Sequence, residues 1–277
     1  ELLDMVRGAG AGALIYVVGE TDTGKTSLTR FLVAGLAETR EAAWIDADPG
    51  QSEIGPPSCV SAAWAGTDEP IALRFVGDVS PSGHLLQTLT GVARLVERVR
   101  AEGAETVVVD PAGFVGSDAA RELQYQLIDL LRPARLVALQ RGEELEPLLG
   151  AFARRDDITC HRLPAFSGAR RRSLSERAKR REDKLADYFA RAEPSTLDLT
   201  RLGLHGRVVS LDAPDRWRGR VVGLDGRDGL TLALGITERL ESPHRLHLIA
   251  PPVRASDVAS LHTGSLVLPV RREVDLG

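Results

Sequence analysis

The chain has 277 residues, 43% of them hydrophobic and 27% charged, with a formal net charge of −4. This balance fits a soluble globular protein of one large domain plus a small second one, and it excludes a disordered chain. The apolar stretches, such as "GALIYVVG" and "TVVV", are far short of the ~20 residues that span a bilayer, and the acidic balance argues against a long nucleic-acid footprint driven by bulk charge while leaving local recognition open.

Taken in chain order, the first element is the run "ALIYVV", read as a buried strand, which leads into "GETDTGKTSL" (19–28). Gly19, Gly24, Lys25 and Thr26 satisfy G-x-x-x-x-G-K-[ST], and "SLTRFLVAGLAE" follows with helical periodicity. Strand, loop and helix in that order form a phosphate cradle. The loop from Gly19 through Glu20, Thr21, Asp22, Thr23, Gly24, Lys25 and Thr26 to Ser27 is therefore the expected ATP site. Glycines let backbone N–H groups curl around the phosphates, and the helix N-terminus favours negative charge. Lys25 would reach the β- and γ-phosphates and the Thr26 hydroxyl would ligate Mg²⁺. Only three of the 35 basic residues are lysine, which makes a lysine in this loop hard to read as background.

The next run, "AAWIDADPGQSEIG", reads as a buried parallel strand that delivers Asp46 and Asp48 to the sheet's C-terminal edge, where doubly wound folds keep their sites. A carboxylate there can hold Mg²⁺ or accept a proton from an attacking hydroxyl; the alternative is a pair of aspartates in a turn before Pro49-Gly50. "IALRFVGD" (71–78) is read as a strand, followed by a helix with Leu85, Leu86, Leu89, Val92, Ala93, Val96 and Val99 on one face. "TVVVD" (106–110) is a strand ending in Asp110, and "AARELQYQLIDLL" a helix. "RLVALQ" is a strand, "EELEPLLGAFAR" a helix and "ITCHRL" the last strand. This alternation predicts a doubly wound α/β fold, a parallel sheet covered on both faces, with Asp48, Asp78 and Asp110 gathered on the loop's side.

"SGARRRSLSERAKRREDKLADYFARAEP" then supplies a helix rich in arginine: Arg170, Arg171, Arg172, Arg177, Arg180 and Arg181, with Leu174, Leu185, Tyr188 and Phe189 as its apolar side. An arginine inserted against a transferring phosphoryl group can contribute ~10³–10⁵ in rate, and a mobile helix can exclude water. The plainer reading is a solvated basic helix with Glu176, Glu182 and Asp183 as partners. Beyond about residue 195 the chain changes to short β-rich runs, "GRVVSL", "GRVVGLDG", "LTLALGI", "RLHLIA" and "GSLVLPV", predicting a small β-barrel or sandwich. Its histidines, His205, His244, His247 and His262, show no ligand spacing and read as structural or surface residues. Cys59 and Cys160 stand in no metal or disulfide spacing, and no charged-then-apolar leader precedes the loop. The expected compartment is thus a reducing cytoplasm, with no membrane.

Three readings compete on these residues: a partitioning-type or metal-insertion ATPase, weakened by Gly19 where such proteins carry an extra lysine; a catalytically inactive ATP-binding scaffold in RNA processing; and a kinase. The chain resembles the polynucleotide 5′-hydroxyl kinases that include the kinase subunit of the eukaryotic mRNA cleavage factor and its archaeal-type relatives. The resemblance rests on "GETDTGKTSL" with Asp22 in the diagnostic place, "DADPGQ", "GDVSPSGHLLQ" (77–87) and "RSLSERAKRREDKLADYF". It implies a P-loop kinase domain over 1–194 with a lid helix at about 168–190, a small β domain over 195–277, and transfer of the γ-phosphate of ATP to the 5′-hydroxyl end of RNA or DNA with Mg²⁺. It implies Lys25, Asp48, Arg172 and Arg177 as catalytic residues, and Thr26, Asp48 and Asp46 around the metal. Gln51, Ser80, Pro81, His84 and Phe114 would form the groove for the nucleic-acid end. Phe114, in "DPAGFVG", stands where many members carry a tryptophan and can stack on the terminal base with less area.

Overall fold

A computed structural model of the chain describes residues 2–166, 168–207, 210–241 and 244–268. Helix α1 (Leu2–Arg7) leads into β1 (Ala13–Gly19), α2 (Lys25–Ala37), β2 (Ala42–Ala47), β3 (Cys59–Trp64) and β4 (Ala72–Phe75). Next come α3 (Leu85–Ala101), β5 (Thr106–Pro111), α4 (Asp118–Leu131), β6 (Arg135–Gln140), α5 (Glu146–Leu149), β7 (Thr159–Pro164) and α6 (Leu174–Phe189). The remainder is β8 (Glu193–Asp198), β9 (Gly203–Gly206), β10 (Arg220–Gly226), β11 (Thr231–Glu241), β12 (Arg245–Ala250) and β13 (Val258–Val267).

The first seven strands form one sheet in the order β4-β3-β2-β5-β1-β6-β7. Five of them, β2, β5, β1, β6 and β7, run parallel, as the alternation of strands and helices predicts. Alternate residues of β1 enter different cores. Leu14, Tyr16 and Val18 meet α3 and α4 on one face, whereas Ile15 and Val17 meet α1 and α2 on the other. The sheet is not wholly parallel, however. Strand β3 pairs antiparallel with both β2 and β4. Its sequence, "CVSAAW", is short and rich in serine and alanine, which carry little β signal, and a Pro-Pro pair precedes it. Since β4 is reversed twice relative to β2, it runs in the same sense, and Gly77-Asp78 emerges on the phosphate-loop edge.

Three local expectations need correction. On α3, Leu86 is 73% exposed; Val92, Val96 and Val99 are buried as expected, Leu85 and Leu89 pack partly buried on the core, and Thr88, Gly91 and Leu95 complete the buried face. Gly91 sets that rotation, because a Cβ there would lie 2.8 Å from Val60 Cγ2. The helix expected over 143–154 shrinks to Glu146–Leu149, opened by a proline and followed by Gly150. On α6, Leu174 is 82% exposed; only Leu185 is buried, while Tyr188 and Phe189 pack on Cys59, Phe75, Val221 and Leu234.

The remaining six strands form a second sheet, β8-β12-β11-β10-β13-β9, antiparallel except for the β13/β9 pair. Val208 and Val209 of the run "GRVVSL", Pro269 and Val270 of "GSLVLPV", and Ser167 of the lid segment lie outside the described residues. The two sheets are joined by the Phe75 cluster, and Tyr188 Oη accepts the Leu234 N–H at 2.9 Å. Among the described residues no helix is long and apolar enough to cross a membrane.

Candidate active site

Strand β1 ends on Gly19, where a Cβ would lie 2.6 Å from the Leu139 carbonyl oxygen and 2.8 Å from Thr23 Oγ1. The chain then turns through two left-handed residues, Asp22 at φ 59° and Gly24 at φ 96°, before α2 begins at Lys25. Such turns aim successive N–H groups into one concavity at a helix N-terminus, and the combination favours an anion. The fully buried Thr23 donates to the Glu20 carbonyl oxygen, and Lys25 Nζ donates to the same oxygen, both at 2.8 Å. Burial pulls the Lys25 pKa down, and the carboxylates of Asp110, Asp48 and Asp22 oppose the shift. Arg141, beyond β6, clamps the loop by pairing with Glu20 at 3.1 Å and donating to the Asp22 carbonyl oxygen at 2.7 Å. Gly19, Glu20 and Thr23 therefore shape the loop, while Thr21, Asp22, Gly24, Lys25, Thr26 and Ser27 border a cavity of about 470 Å³.

Asp46 on β2 and Asp110 on β5 are register partners at the edge of that cavity. Asp46 Oδ1 accepts the Asp48 N–H at 3.1 Å, and Oδ2 accepts those of Glu53 at 2.5 Å and Ile54 at 2.9 Å. Burial raises its pKa and the neighbouring Asp110 adds to that, while the N–H donors oppose it. With both oxygens engaged by backbone, Asp46 organises the 46–54 loop, which argues against the metal role expected for it. Asp110 differs: Oδ2 accepts from Thr26 Oγ1 at 2.7 Å, and the buried Oδ1 has no partner among the described residues. Burial raises its pKa to about 6, against the pull of Lys25 and Thr26. Thr26 and Asp110 thus offer hard oxygen donors with one orphaned lone-pair site, a set that fits Mg²⁺. Asp48 borders the same cavity, and its Oδ1 accepts the N–H groups of Gly50 and Gln51, each at 2.9 Å. Those two bonds fix the carboxylate while Oδ2 makes none among the described residues.

The arginine helix starts on a capping box: Ser173 Oγ accepts the Glu176 N–H, and the Glu176 carboxylate accepts the Ser173 N–H. Asp22 latches its first turn to the loop, accepting the Arg172 N–H at 3.1 Å and the Arg177 guanidinium at 2.6 Å on a single oxygen. Arg170 and Arg172 border the cavity. Arg177 does not; expected to face a transferring phosphoryl group, it is instead the partner of Asp22. Further along, Arg180 pairs with Glu53 at 2.5 Å, and Lys184 Nζ donates to the Ser52 and Glu53 carbonyl oxygens at 2.6 and 3.0 Å. The basic helix is therefore docked beside the cavity through Asp22 and Glu53, which border it, unlike a helix whose charges face only water.

The expected groove residues separate. Gln51 borders the cavity, with its Oε1 buried and unpartnered among the described residues. Ser80, Pro81 and His84 lie outside it, on a segment that rests against β13: Ser265 N–H donates to the Gly77 carbonyl oxygen at 2.8 Å, and His84 Nε2 sits 3.4 Å from Ser265 Oγ. That segment still touches the Asp48 loop, since a Cβ on Gly50 would lie 2.5 Å from the Val79 carbonyl oxygen. Phe114 does not border the cavity and packs partly buried on the main core. This weakens the stacking role expected of it. Arg30, Glu53 and Arg141 are site residues with no sequence signal beyond charge; their partners lie 23 to 127 residues away.

Residues 19–191 match the family model described as the mRNA cleavage and polyadenylation factor CLP1 P-loop. The chain belongs to this family. It is 32% identical over 200 residues to a polyribonucleotide 5′-hydroxyl-kinase of Pyrococcus furiosus, covering 69% of this chain and 55% of that protein. A polyribonucleotide 5′-hydroxyl-kinase of Methanocaldococcus jannaschii is 27% identical over 217 residues, covering 76% of this chain and 59% of that one. The chain thus spans little more than half the length of these curated relatives. The fold is that of the solved wild-type Clp1p–Pcf11p (454–563) complex, with a TM-score of 0.72 at 16% identity over 96% of this chain and 78% of that one.

Proposed function

We propose that the protein is an ATP- and Mg²⁺-dependent kinase that phosphorylates the 5′-hydroxyl end of a polynucleotide. The observation that carries the reading is the convergence, on one cavity, of the phosphate loop, the anchored Asp48 carboxylate and an arginine helix latched to the loop through Asp22. An NTP-hydrolysing switch has no need of a helix that covers the γ-phosphate against water; a kinase does. The names of the archaeal relatives support RNA as the acceptor.

In this reading the loop N–H groups and Lys25 hold the β- and γ-phosphates, with Thr26 and Asp110 holding Mg²⁺, which supplies charge neutralisation between the phosphates. Asp48 Oδ2 takes the proton of the 5′-hydroxyl as its oxygen bonds to the γ-phosphorus and the β,γ-bridging P–O bond breaks, leaving ADP. The Gly50 and Gln51 N–H groups keep that carboxylate aimed. Arg172 stabilises charge on the transferring group, and Arg177 acts as a positioning residue that closes the helix onto Asp22. The test is incubation of the full chain with γ-labelled ATP and RNA or DNA oligonucleotides ending in 5′-hydroxyl or 5′-phosphate. Label on 5′-hydroxyl ends alone supports the proposal; label on neither, or equally on both, overturns it.

A further inference from the structure

Three residues far apart in sequence, His205, Asp225 and His262, meet on adjacent strands of the second sheet. His205 on β9 and His262 on β13 are register partners, and Asp225 lies on β10, two residues past Gly223, the partner of His262. Each offers a ligand atom, and all three atoms lie within 4.8 Å of one another. The imidazole rings stack with centroids 4.4 Å apart, and His205 Nε2 is 3.1 Å from Asp225 Oδ2. None of the three lies at the phosphate-loop cavity.

We infer that His205, Asp225 and His262 form a site for a borderline divalent cation, with Zn²⁺ as the ion best matched to its donors. Two imidazoles and one carboxylate are a zinc donor set, and three protein ligands leave a fourth position for water. Tetrahedral bonds of ~2.0–2.1 Å bring donor atoms to roughly 3.3 Å apart, close to the separation already present between His205 and Asp225. The second, independent observation is His262 itself: it is 2% exposed, and its Nδ1 has no hydrogen-bond partner among the described residues. A buried orphan nitrogen is costly unless something binds it.

The surroundings supply the rest of such a site. Asp225, 1% exposed, is oriented by Thr231 Oγ1 on Oδ1 at 2.7 Å and by Arg74 on Oδ2 at 3.1 Å, the outer contacts that ligating carboxylates commonly receive. The cation takes the place of the direct contact between His205 Nε2 and Asp225 Oδ2. An open cavity of about 380 Å³ beside His262, bordered also by His84, Arg207 and Thr263, gives the entry path and the water. Bound there, the ion ties together β9, β10 and β13, and β13 is the ledge on which the 77–84 segment rests.

The full chain, stripped with a chelator and kept in excess Mg²⁺, is titrated with Zn²⁺ by calorimetry and with Co²⁺ by visible absorption. One equivalent should bind, with the absorption of a four-coordinate site and a rise in Tm. His205→Ala, at a half-exposed position that leaves the fold intact, should weaken binding at least about 100-fold, and His262→Asn should do the same. Zn²⁺ uptake in His247→Ala and Asp110→Asn should match that of the wild type. Absence of uptake, uptake unchanged in His205→Ala, or uptake lost in Asp110→Asn would each overturn the assignment, the last by moving the ion to the nucleotide cavity.

Discussion

At the ends of the neighbouring strands β2 and β5, Asp46 and Asp110 stand side by side at the same level of the sheet, and both are nearly inaccessible to solvent. Around Asp46 the chain folds back, and three backbone N–H groups saturate the carboxylate; after β5 it runs on through Pro111 and Gly113, and Asp110 keeps an unpartnered oxygen. The lesson is that burial alone does not mark a functional carboxylate. A saturated one builds a loop, here the loop that aims Asp48, whereas an unsaturated one beside Thr26 is held ready for a ligand. The same distinction separates Arg177, engaged by Asp22, from Arg172, a residue that borders the cavity.

The comparison breaks most visibly at Asp48, the residue that the Asp46 loop positions. Asp48→Asn should cut phosphoryl transfer by roughly 10²–10⁴ while ATP affinity stays within a few-fold, measured as single-turnover rate against nucleotide Kd. Next in size is the lid. Arg172→Ala should lower kcat by at least about tenfold, with poor rescue by lysine, because a point charge does not reproduce a planar fork across two phosphoryl oxygens. Arg177→Ala should act through helix closure, raising unproductive ATP hydrolysis relative to transfer. Arg180→Ala should mainly cost stability through Glu53; equal kcat losses in all three variants would remove the distinction.

At the strand ends themselves the two aspartates should respond in opposite directions. Asp46→Asn replaces an acceptor with a donor that faces backbone N–H groups, and should lower ligand-free stability by ~1–3 kcal/mol. Asp110→Asn removes a buried charge that nothing fully compensates, and should raise ligand-free stability at pH 7.5 by roughly 1–3 kcal/mol while Mg²⁺-dependent transfer is lost. Denaturant unfolding of the two variants, read beside the wild type, decides it. The smallest effect is a pH slope. The Asp110 pKa is raised to about 6 in the folded chain, so between the ordinary carboxylate value and pH 6 the native state holds a proton that the unfolded state has released. Its contribution to stability is complete at low pH, declines as pH rises through that window and is flat above it. In the Asp110→Asn variant the corresponding part of the slope should vanish.

How much of this was legible in the sequence depends on how local each feature is. The phosphate loop is a contiguous motif in which spacing, glycines and flanking elements all agree, and the sequence reading located it without help from distant residues. The arginine helix is nearly as local: its run of arginines and the Tyr188-Phe189 pair are visible in the string, although Leu174 projects into solvent against its apolar character. Strand β3 was hidden because its small residues carry no period-2 signal. What no spacing could show is partnership across the fold. Arg177 reaches Asp22 over 155 residues, and Arg141 reaches Glu20 over 121. His205, Asp225 and His262 are assembled by strand register alone, which is why the two histidines read in the sequence as structural or surface residues and Asp225 drew no reading at all.

The central claim is that this cavity delivers a phosphoryl group to a polynucleotide hydroxyl and withholds it from water. The direct measurement is a single turnover of γ-labelled ATP on an excess of the 277-residue chain, with and without a 5′-hydroxyl RNA oligonucleotide, separating labelled RNA from free phosphate. The account predicts that with RNA most of the label appears on its 5′ end, and that without RNA the ATP persists at least about 100-fold longer. Release of free phosphate at the same rate in both reactions, with no labelled RNA, would contradict it.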